Sequence, residues 1–239
     1  MNQEPPAPGK PDIRQLILLV SLLVIIVVAI YLLPGGKISE TEKAILVENF
    51  DGKTIAELEN AGWKLWSKSR MSEVTGYPAA TYPSEVVKIT ENGELLAERG
   101  AGGLFLPHEW KDFRFQVKFK RNIVTWVGIA FRCDNDWQSQ DAWWSNGYLV
   151  QLGFEDQVNQ LWKTDNGSWT QLSSQNRMMT PNVWHELVIE SRAGLIKVWV
   201  DNQQLFDVID PAPILDFGGL ALVNNSGPVY FDNLRVEPL

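Results

Sequence analysis

The chain has 239 residues, a formal net charge of −8, one cysteine and two histidines. The negative charge argues against nucleic acid as a partner, because phosphate binding requires clustered Lys and Arg. A single cysteine excludes an intrachain disulfide, and neither histidine has a His or Cys close by in the sequence, which argues against a zinc site. The length allows one membrane segment and one domain of about 200 residues with a sizeable core.

The N-terminal part of the chain predicts a tail, a membrane segment and a linker. Residues 1–15 are proline-rich and predict a disordered tail. Residues 16–33 carry no charge and are apolar except for Ser21 and Tyr31, and as a helix they would span about 27 Å, close to the hydrocarbon thickness of a bilayer. No A-x-A site follows this run, so we expect an uncleaved anchor in membrane lipid rather than a cleaved signal peptide. Residues 34–44 form the linker.

The charges that flank this segment favour one orientation slightly. Lys10 and Arg14 lie on one side, and Lys37 and Lys43 lie on the other. A short tail followed by an apolar run acts readily as a signal anchor, so we expect the tail inside and the C-terminal domain in an extracytoplasmic location.

From residue 45 to residue 239 the signals are almost all those of β structure. About a dozen short alternating segments are separated by turn residues, including the hairpin signals Asn92-Gly93 and Asn166-Gly167. One short helix is expected after Thr54, which forms a capping-box pattern with Glu57. Many short strands with almost no helix predict an all-β, two-sheet sandwich.

The segment from Asp112 to Phe154 predicts three strands of one sheet. Alternate residues such as Phe113 and Ile129 face the core, and polar or small residues such as Gly128 form the outer face. Small residues on a sheet face leave a trough. A trough with aromatic and hydrogen-bonding walls can hold a flat, hydroxylated ligand. The alternative is a face that is solvated or covered by a loop. The candidate ligand-binding residues of these strands are Trp126, Arg132, Gln151, Arg114 and Gln116.

The loop between the second and third of these strands adds aromatic candidates. Trp137, Trp143 and Trp144 could stack on sugar rings. Asp134 and its neighbouring acids could accept hydrogen bonds from sugar hydroxyls or bind Ca²⁺. The alternative is that the tryptophans anchor the loop on the sandwich.

Asp51 and Asp232 are the candidate metal ligands. They lie on the first and last predicted strands, which pair in many sandwiches. The alternatives are a structural Ca²⁺ and a simple turn-capping role for each carboxylate.

Several motifs in this order resemble the concanavalin A-like lectin/glucanase superfamily, above all its laminin G-like domains and 3-keto-disaccharide hydrolase domains. The motifs are Val127-Gly-Ile-Ala-Phe-Arg132, Gly147-Tyr-Leu-Val-Gln-Leu152, Trp184-His-Glu-Leu-Val-Ile-Glu190, Ile196-Lys-Val-Trp-Val-Asp201 and Val229-Tyr-Phe-Asp-Asn-Leu-Arg-Val236. The resemblance implies an antiparallel jelly roll whose concave sheet often binds carbohydrate.

The catalytic pattern of the glucanase branch, Glu-x-Asp-x-x-Glu on one strand, is not present. Glu186 and Glu190 share a strand face but stand about 13 Å apart, too far for either glycosidase mechanism. We therefore expect a membrane-anchored, non-catalytic carbohydrate-binding module of the cell envelope. The alternatives are a subunit that docks on a membrane-protein partner and a glycoside hydrolase that acts on a (keto-)disaccharide or polysaccharide.

Overall fold

The computed structural model of the protein describes residues 46–67, 87–98, 102–122, 125–134, 144–154, 158–216, 218–224 and 227–239. All of them belong to one compact unit, Ala44–Leu239. Within these ranges no helix is long and apolar enough to cross a bilayer. The predicted tail, transmembrane segment and linker lie outside the described residues.

Fifteen strands, numbered in chain order, form the described structure. The first eight are β1 (Leu46–Glu48), β2 (Lys64–Ser67), β3 (Val87–Ile89), β4 (Leu95–Ala97), β5 (Gly102–Leu106), β6 (Phe113–Arg121), β7 (Val127–Cys133) and β8 (Gly147–Phe154). The others are β9 (Val158–Asp165), β10 (Ser168–Asn176), β11 (His185–Arg192), β12 (Leu195–Val200), β13 (Gln203–Ile209), β14 (Gly219–Asn224) and β15 (Val229–Pro238).

The strands form two antiparallel sheets, which confirms the predicted all-β sandwich. The eight-stranded sheet has the order β13-β12-β11-β6-β15-β4-β3, with β1 also paired to β15. The seven-stranded sheet has the order β10-β9-β8-β7-β14-β5-β2. Neighbours in the sheets are often distant in sequence, as in the pairing of β6 with β15, and this connectivity is that of a jelly roll.

One short helix, α1 (Ile55–Asn60), precedes β2, and its cap is the predicted one. The Thr54 hydroxyl accepts a hydrogen bond from the Glu57 backbone N–H, and the Glu57 side chain accepts one from the Thr54 backbone N–H. These two bonds satisfy donors that the first helical turn leaves free. The helix buries Leu58 against the core.

The core lies between the inner faces of the two sheets. On β6 the predicted alternation holds, since Phe115 and Val117 are fully buried while Gln116 between them is half-buried. Ile129 and Phe131 of β7 face them from the other sheet and are also fully buried. The alternation reports the inward side of each strand because successive side chains point to opposite faces.

The prediction that β6, β7 and β8 share one sheet is wrong. Strand β6 lies in the eight-stranded sheet, whereas β7 and β8 are neighbours in the seven-stranded sheet. The short connection after Arg121 therefore leads from one sheet to the other. Alternation distinguishes the inner from the outer side of a strand, but it carries no information about which of two facing sheets contains the strand.

Candidate functional site

The centre of the outer face of the seven-stranded sheet is filled rather than open. A Cβ atom on Gly128 would lie 2.5 Å from Val223 Cγ2 and 2.6 Å from the Trp126 ring, so these two side chains occupy the space that the glycine leaves. Ala130 and Leu149 beside them are also buried. Trp126 does lie on the predicted face, but it is only 9% exposed and packs into this cluster.

Arg132 does not line this face. Its backbone has φ 49°, and its side chain, 1% exposed, runs to the end of the sandwich. There the guanidinium donates hydrogen bonds to the carbonyls of Ala193 and Ile214, at 2.8 and 2.9 Å, to that of Lys111, and to the Asp112 carboxylate at 3.2 Å. Arg132 therefore fastens three segments of the fold and is not available to a ligand.

Arg114 and Gln116 lie on the opposite surface of the molecule, because β6 belongs to the eight-stranded sheet. Arg114 pairs there with Glu190, and Gln116 Nε2 donates to Glu186 Oε1 at 2.7 Å. The two glutamates that resembled a separated catalytic pair are thus engaged on that surface. The structure does not bring Arg114 and Gln116 together with Trp126.

Two other candidates do lie on the outer face of the seven-stranded sheet. Gln151 is register partner of Gln160 on β9. Trp144 is 3% exposed, packs on Gly147 and has its ring centroid 5.9 Å from that of Trp169. Trp137 and Trp143 lie outside the described residues. Asp134, at the start of the same loop, accepts hydrogen bonds from the Ser145 N–H at 3.1 Å and from Asn146 Nδ2 at 2.8 Å.

One exposed part of this face is a strip at its β9–β10 edge, which we call the aromatic–amide strip. It consists of Gln160, Trp162, Trp169 and Gln171. Trp169 is 39% exposed and meets Trp162 edge-on, with ring centroids 6.4 Å apart and planes at 81°. Trp162 Nε1 donates to Gln160 Oε1 at 3.2 Å, and Gln160 Nε2 donates to Gln171 Oε1 at 3.0 Å. An exposed indole beside hydrogen-bonding amides is a surface on which a sugar ring can stack and be held.

The strip carries no group for acid–base chemistry. Among the described residues of the seven strands, none of the outward-facing side chains is a carboxylate or an imidazole. The same described part of the chain holds no cluster of three or more His, Cys, Asp and Glu side chains that could bind a metal ion.

The strip was not predicted as a site, although the sequence contains one signal for it. The Asn166-Gly167 turn predicts the β9–β10 hairpin, and alternation on β9 places Gln160 and Trp162 on one face. The position of Gln171 opposite Trp162 depends on the pairing register, which shifts at a bulge just after Gln171.

The strands that Asp51 follows and that carry Asp232, β1 and β15, are paired, and the Asp51 charge acts on the Asp232 carboxylate. The Asp51 carboxylate packs against Gly93, where a Cβ would lie 2.1 Å from its Oδ1 atom. Burial raises the pKa of Asp232, and the negative charges of Asp51 and Glu94 add to this rise. Two mutually repelling carboxylates are compatible with a Ca²⁺ ion between them, and calcium stays a prediction.

This repulsion predicts the effect of the change Asp232→Asn. A carboxyl whose pKa is raised on folding contributes stability below its unfolded pKa, and this contribution is lost as pH rises through the folded pKa. Without a metal, the variant should therefore have a higher melting temperature than the wild type at pH 7. The increase is at most about 2 °C, because the group is partly exposed. At pH 3 the two proteins should have the same melting temperature. Thermal melts in chelator and in millimolar Ca²⁺ check this. A wild type that gains stability from Ca²⁺ while the variant does not would establish the metal.

The two-sheet sandwich is a jelly-roll domain, a fold that a carbohydrate-binding module and a β-glucanase also have. The chain belongs to the family of 3-keto-alpha-glucoside-1,2-lyase-like domains, whose model matches residues 46–237. The resemblance to the 3-keto-disaccharide hydrolase domains is thereby confirmed. No curated protein matches the chain.

Solved structures with this fold are distant in sequence. The carbohydrate-binding module CBM66 from Bacillus subtilis is 17% identical, with a TM-score of 0.56 over 74% of this chain and 95% of that one. The β-glucanase of Bacillus licheniformis is 15% identical, with a TM-score of 0.58 over 82% and 98%. A protein of unknown function with a galectin-like fold from Bacillus subtilis is 8% identical, with a TM-score of 0.61 over 80% and 94%. Identities this low establish the fold alone.

Proposed function

We propose that this protein binds carbohydrate without cleaving it, and that the sugar stacks on Trp169 of the aromatic–amide strip. The observation that carries the proposal is the exposed indole of Trp169, held in place by Trp162 and Trp144 and flanked by the Gln160 and Gln171 amides. A ring held by two neighbours loses little conformational freedom when a ligand binds. Glucosides are the ligand class we take first, because the family is named for a glucoside and a structural neighbour is a β-glucanase.

We also propose that the protein is anchored in a membrane, with its C-terminal domain in an extracytoplasmic location. The uncharged apolar run of residues 16–33 supports this location. A short linker, residues 34–44, would then keep the binding domain close to the membrane surface.

The family match favours cleavage of a 3-keto-glucoside as the second candidate. A lyase needs a general base to remove a proton from the substrate, and a hydrolase needs a paired acid and base. The described outward face carries no carboxylate and no imidazole for these roles, which is why we rank binding first. Incubation of the full chain with 3-keto-α-glucosides, followed by product analysis, tests the second candidate. Turnover that persists after repeated purification would overturn the non-catalytic proposal.

Changing Trp169 to alanine should remove glucoside binding while leaving the fold intact. Loss of one stacking ring is expected to weaken binding by at least about tenfold, because the ring supplies the largest apolar contact of the strip. The melting temperature should change little, since Trp169 is 39% exposed. Binding of the full chain, purified in mild detergent, is measured on a glycan array and by calorimetry with glucosides.

The matched control is Trp199→Ala. Trp199 is a half-buried tryptophan on β12 of the eight-stranded sheet, and it faces away from the core in alternation with Val198 and Val200. Equal loss of binding in both variants would contradict the assignment of the site to the strip. Absence of glucoside binding by a folded wild type would contradict the proposed function itself.

A further inference from the structure

The direction of the hydrogen bonds within the aromatic–amide strip is fixed by chemistry. An indole N–H can only donate, so the Gln160 atom that faces Trp162 Nε1, 3.2 Å away, must be the carbonyl oxygen. The Gln160 nitrogen is then the atom that faces Gln171 at 3.0 Å, and the Gln171 atom it meets must be an oxygen. The Gln171 amide is consequently oriented with its –NH₂ group free of this chain of bonds.

The position of that –NH₂ group relative to Trp169 suits one sugar ring. Trp169 and Gln171 are two residues apart on β10, so they share a face and stand about 7 Å from one another. Gln171 is exposed, and the Gln160 side chain is the one partner that the described structure gives its amide. A ring stacked on Trp169 would therefore present a substituent to a donor that no other described group occupies.

We propose that Gln171 is a specificity-determining residue, which donates a hydrogen bond to an acceptor oxygen of the sugar stacked on Trp169. Trp162 and Gln160 are positioning residues that set the polarity of this donor. The inference rests on the proposed function, and it adds whether the sugar hydroxyl at this position accepts or donates the hydrogen bond. A hydroxyl read in this way must accept a bond but need not donate one.

The change Gln160→Glu should invert the polarity of the site. The introduced carboxylate still accepts the bond from Trp162 Nε1, but it has no hydrogen to donate to Gln171. The Gln171 amide must then turn its –NH₂ group toward this carboxylate, which exposes the amide oxygen to the ligand. The variant would therefore require a ligand hydroxyl that donates.

Monodeoxy and monodeoxyfluoro analogues of methyl α-glucoside and methyl β-glucoside distinguish these two states, because fluorine accepts weakly and never donates. At one ring position the wild-type full chain should lose about 3- to 10-fold in affinity for the deoxy analogue and less for the fluoro analogue. Gln160→Glu should lose equally for both analogues. Gln171→Ala should bind the parent glucoside and both analogues with equal affinity at that position.

Asn176→Asp is the matched control for the added charge. Asn176 is exposed at the end of β10 and pairs with Val158, so the change adds one negative charge to the same strand, without a longer side chain, outside the chain of bonds. This variant should keep the wild-type order of the analogues. The inference is wrong, while the proposed function stands, if Gln171→Ala still discriminates among the parent, deoxy and fluoro glucosides as the wild type does at every ring position. It is also wrong if Gln160→Glu ranks the deoxy and fluoro analogues in the wild-type order. If the wild type binds no glucoside, both fail.

Discussion

Replacing Arg132 with methionine is expected to lower the free energy of unfolding by about 3 kcal/mol, because three carbonyls lose their donor. The methionine fills part of the volume but donates nothing to the carbonyls of Ala193, Ile214 and Lys111, which would be left without their donor at the end of the sandwich. These hydrogen bonds are only partly buried, so we take the lower end of the cost of an acceptor that loses its donor, about 1 kcal/mol for each carbonyl. The loss would be a large fraction of the stability of a domain of this size.

Urea unfolding of the wild type and of the variants Arg132→Met and Arg114→Met measures this loss of stability. The control is Arg114→Met, which removes the partner of Glu190 on the outer face of the eight-stranded sheet. Both side chains of that pair are partly exposed, so the loss should be below about 1 kcal/mol. An Arg132 variant no less stable than the Arg114 variant would show that the burial of the guanidinium does not stabilise the fold.

A second large loss is expected for Asp210→Ala. Asp210 is 5% exposed and accepts hydrogen bonds from the Tyr148 hydroxyl at 2.8 Å and the Ala212 N–H at 3.0 Å, and its carboxylate pairs with Lys163 Nζ at 2.9 Å. The change leaves the buried Lys163 ammonium without its counter-ion, which costs about 3–5 kcal/mol. The double variant Lys163→Met with Asp210→Ala should recover more than about 1 kcal/mol of this loss, because the stranded charge is then absent.

The same carboxylate predicts a dependence on pH. Burial raises the pKa of Asp210, but the Ala212 N–H, Lys163 and Tyr148 lower it by more, so the net direction is down. A pKa lowered on folding contributes stability above the unfolded value of about 3.9, and this contribution is lost as pH falls through the folded pKa. The difference in stability between the wild type and Asp210→Ala should therefore shrink below about pH 4. Asp207→Ala, which removes a half-exposed partner of Lys197, should show a difference below about 1 kcal/mol at neutral pH.

The inward side of most strands could be predicted because alternation is a local property. Phe115 and Ile129 lie where the pattern placed them. Arg132 does not, because its backbone has φ 49° and inserts an extra residue into β7, where Phe131 pairs with Leu220 and Cys133 pairs with Gly219. A bulge of this kind shifts every later side chain of the strand to the other face, and the residue types around Arg132 do not predict it.

The candidate site was predicted only in part for a related reason. The sequence places Trp126 and Gln151 on the outer face of their strands and Trp144 in the adjoining loop, but which parts of that face are open depends on how side chains from different strands pack. Val223, from a strand far along the chain, fills the space above Gly128. Packing between distant strands is a property of the assembled sheet, and the sequence of one strand does not contain it.

The central place of β15 has a consequence for synthesis of the protein on the ribosome. This strand is the last one described, and it pairs with β6, which ends more than a hundred residues earlier, as well as with β1 and β4. The eight-stranded sheet therefore cannot close until β15 has emerged, and β6 keeps an unpaired edge until then. Such a high contact order predicts slow folding and a nascent chain prone to aggregation, for which protection by chaperones would matter more than for a helical protein of equal length.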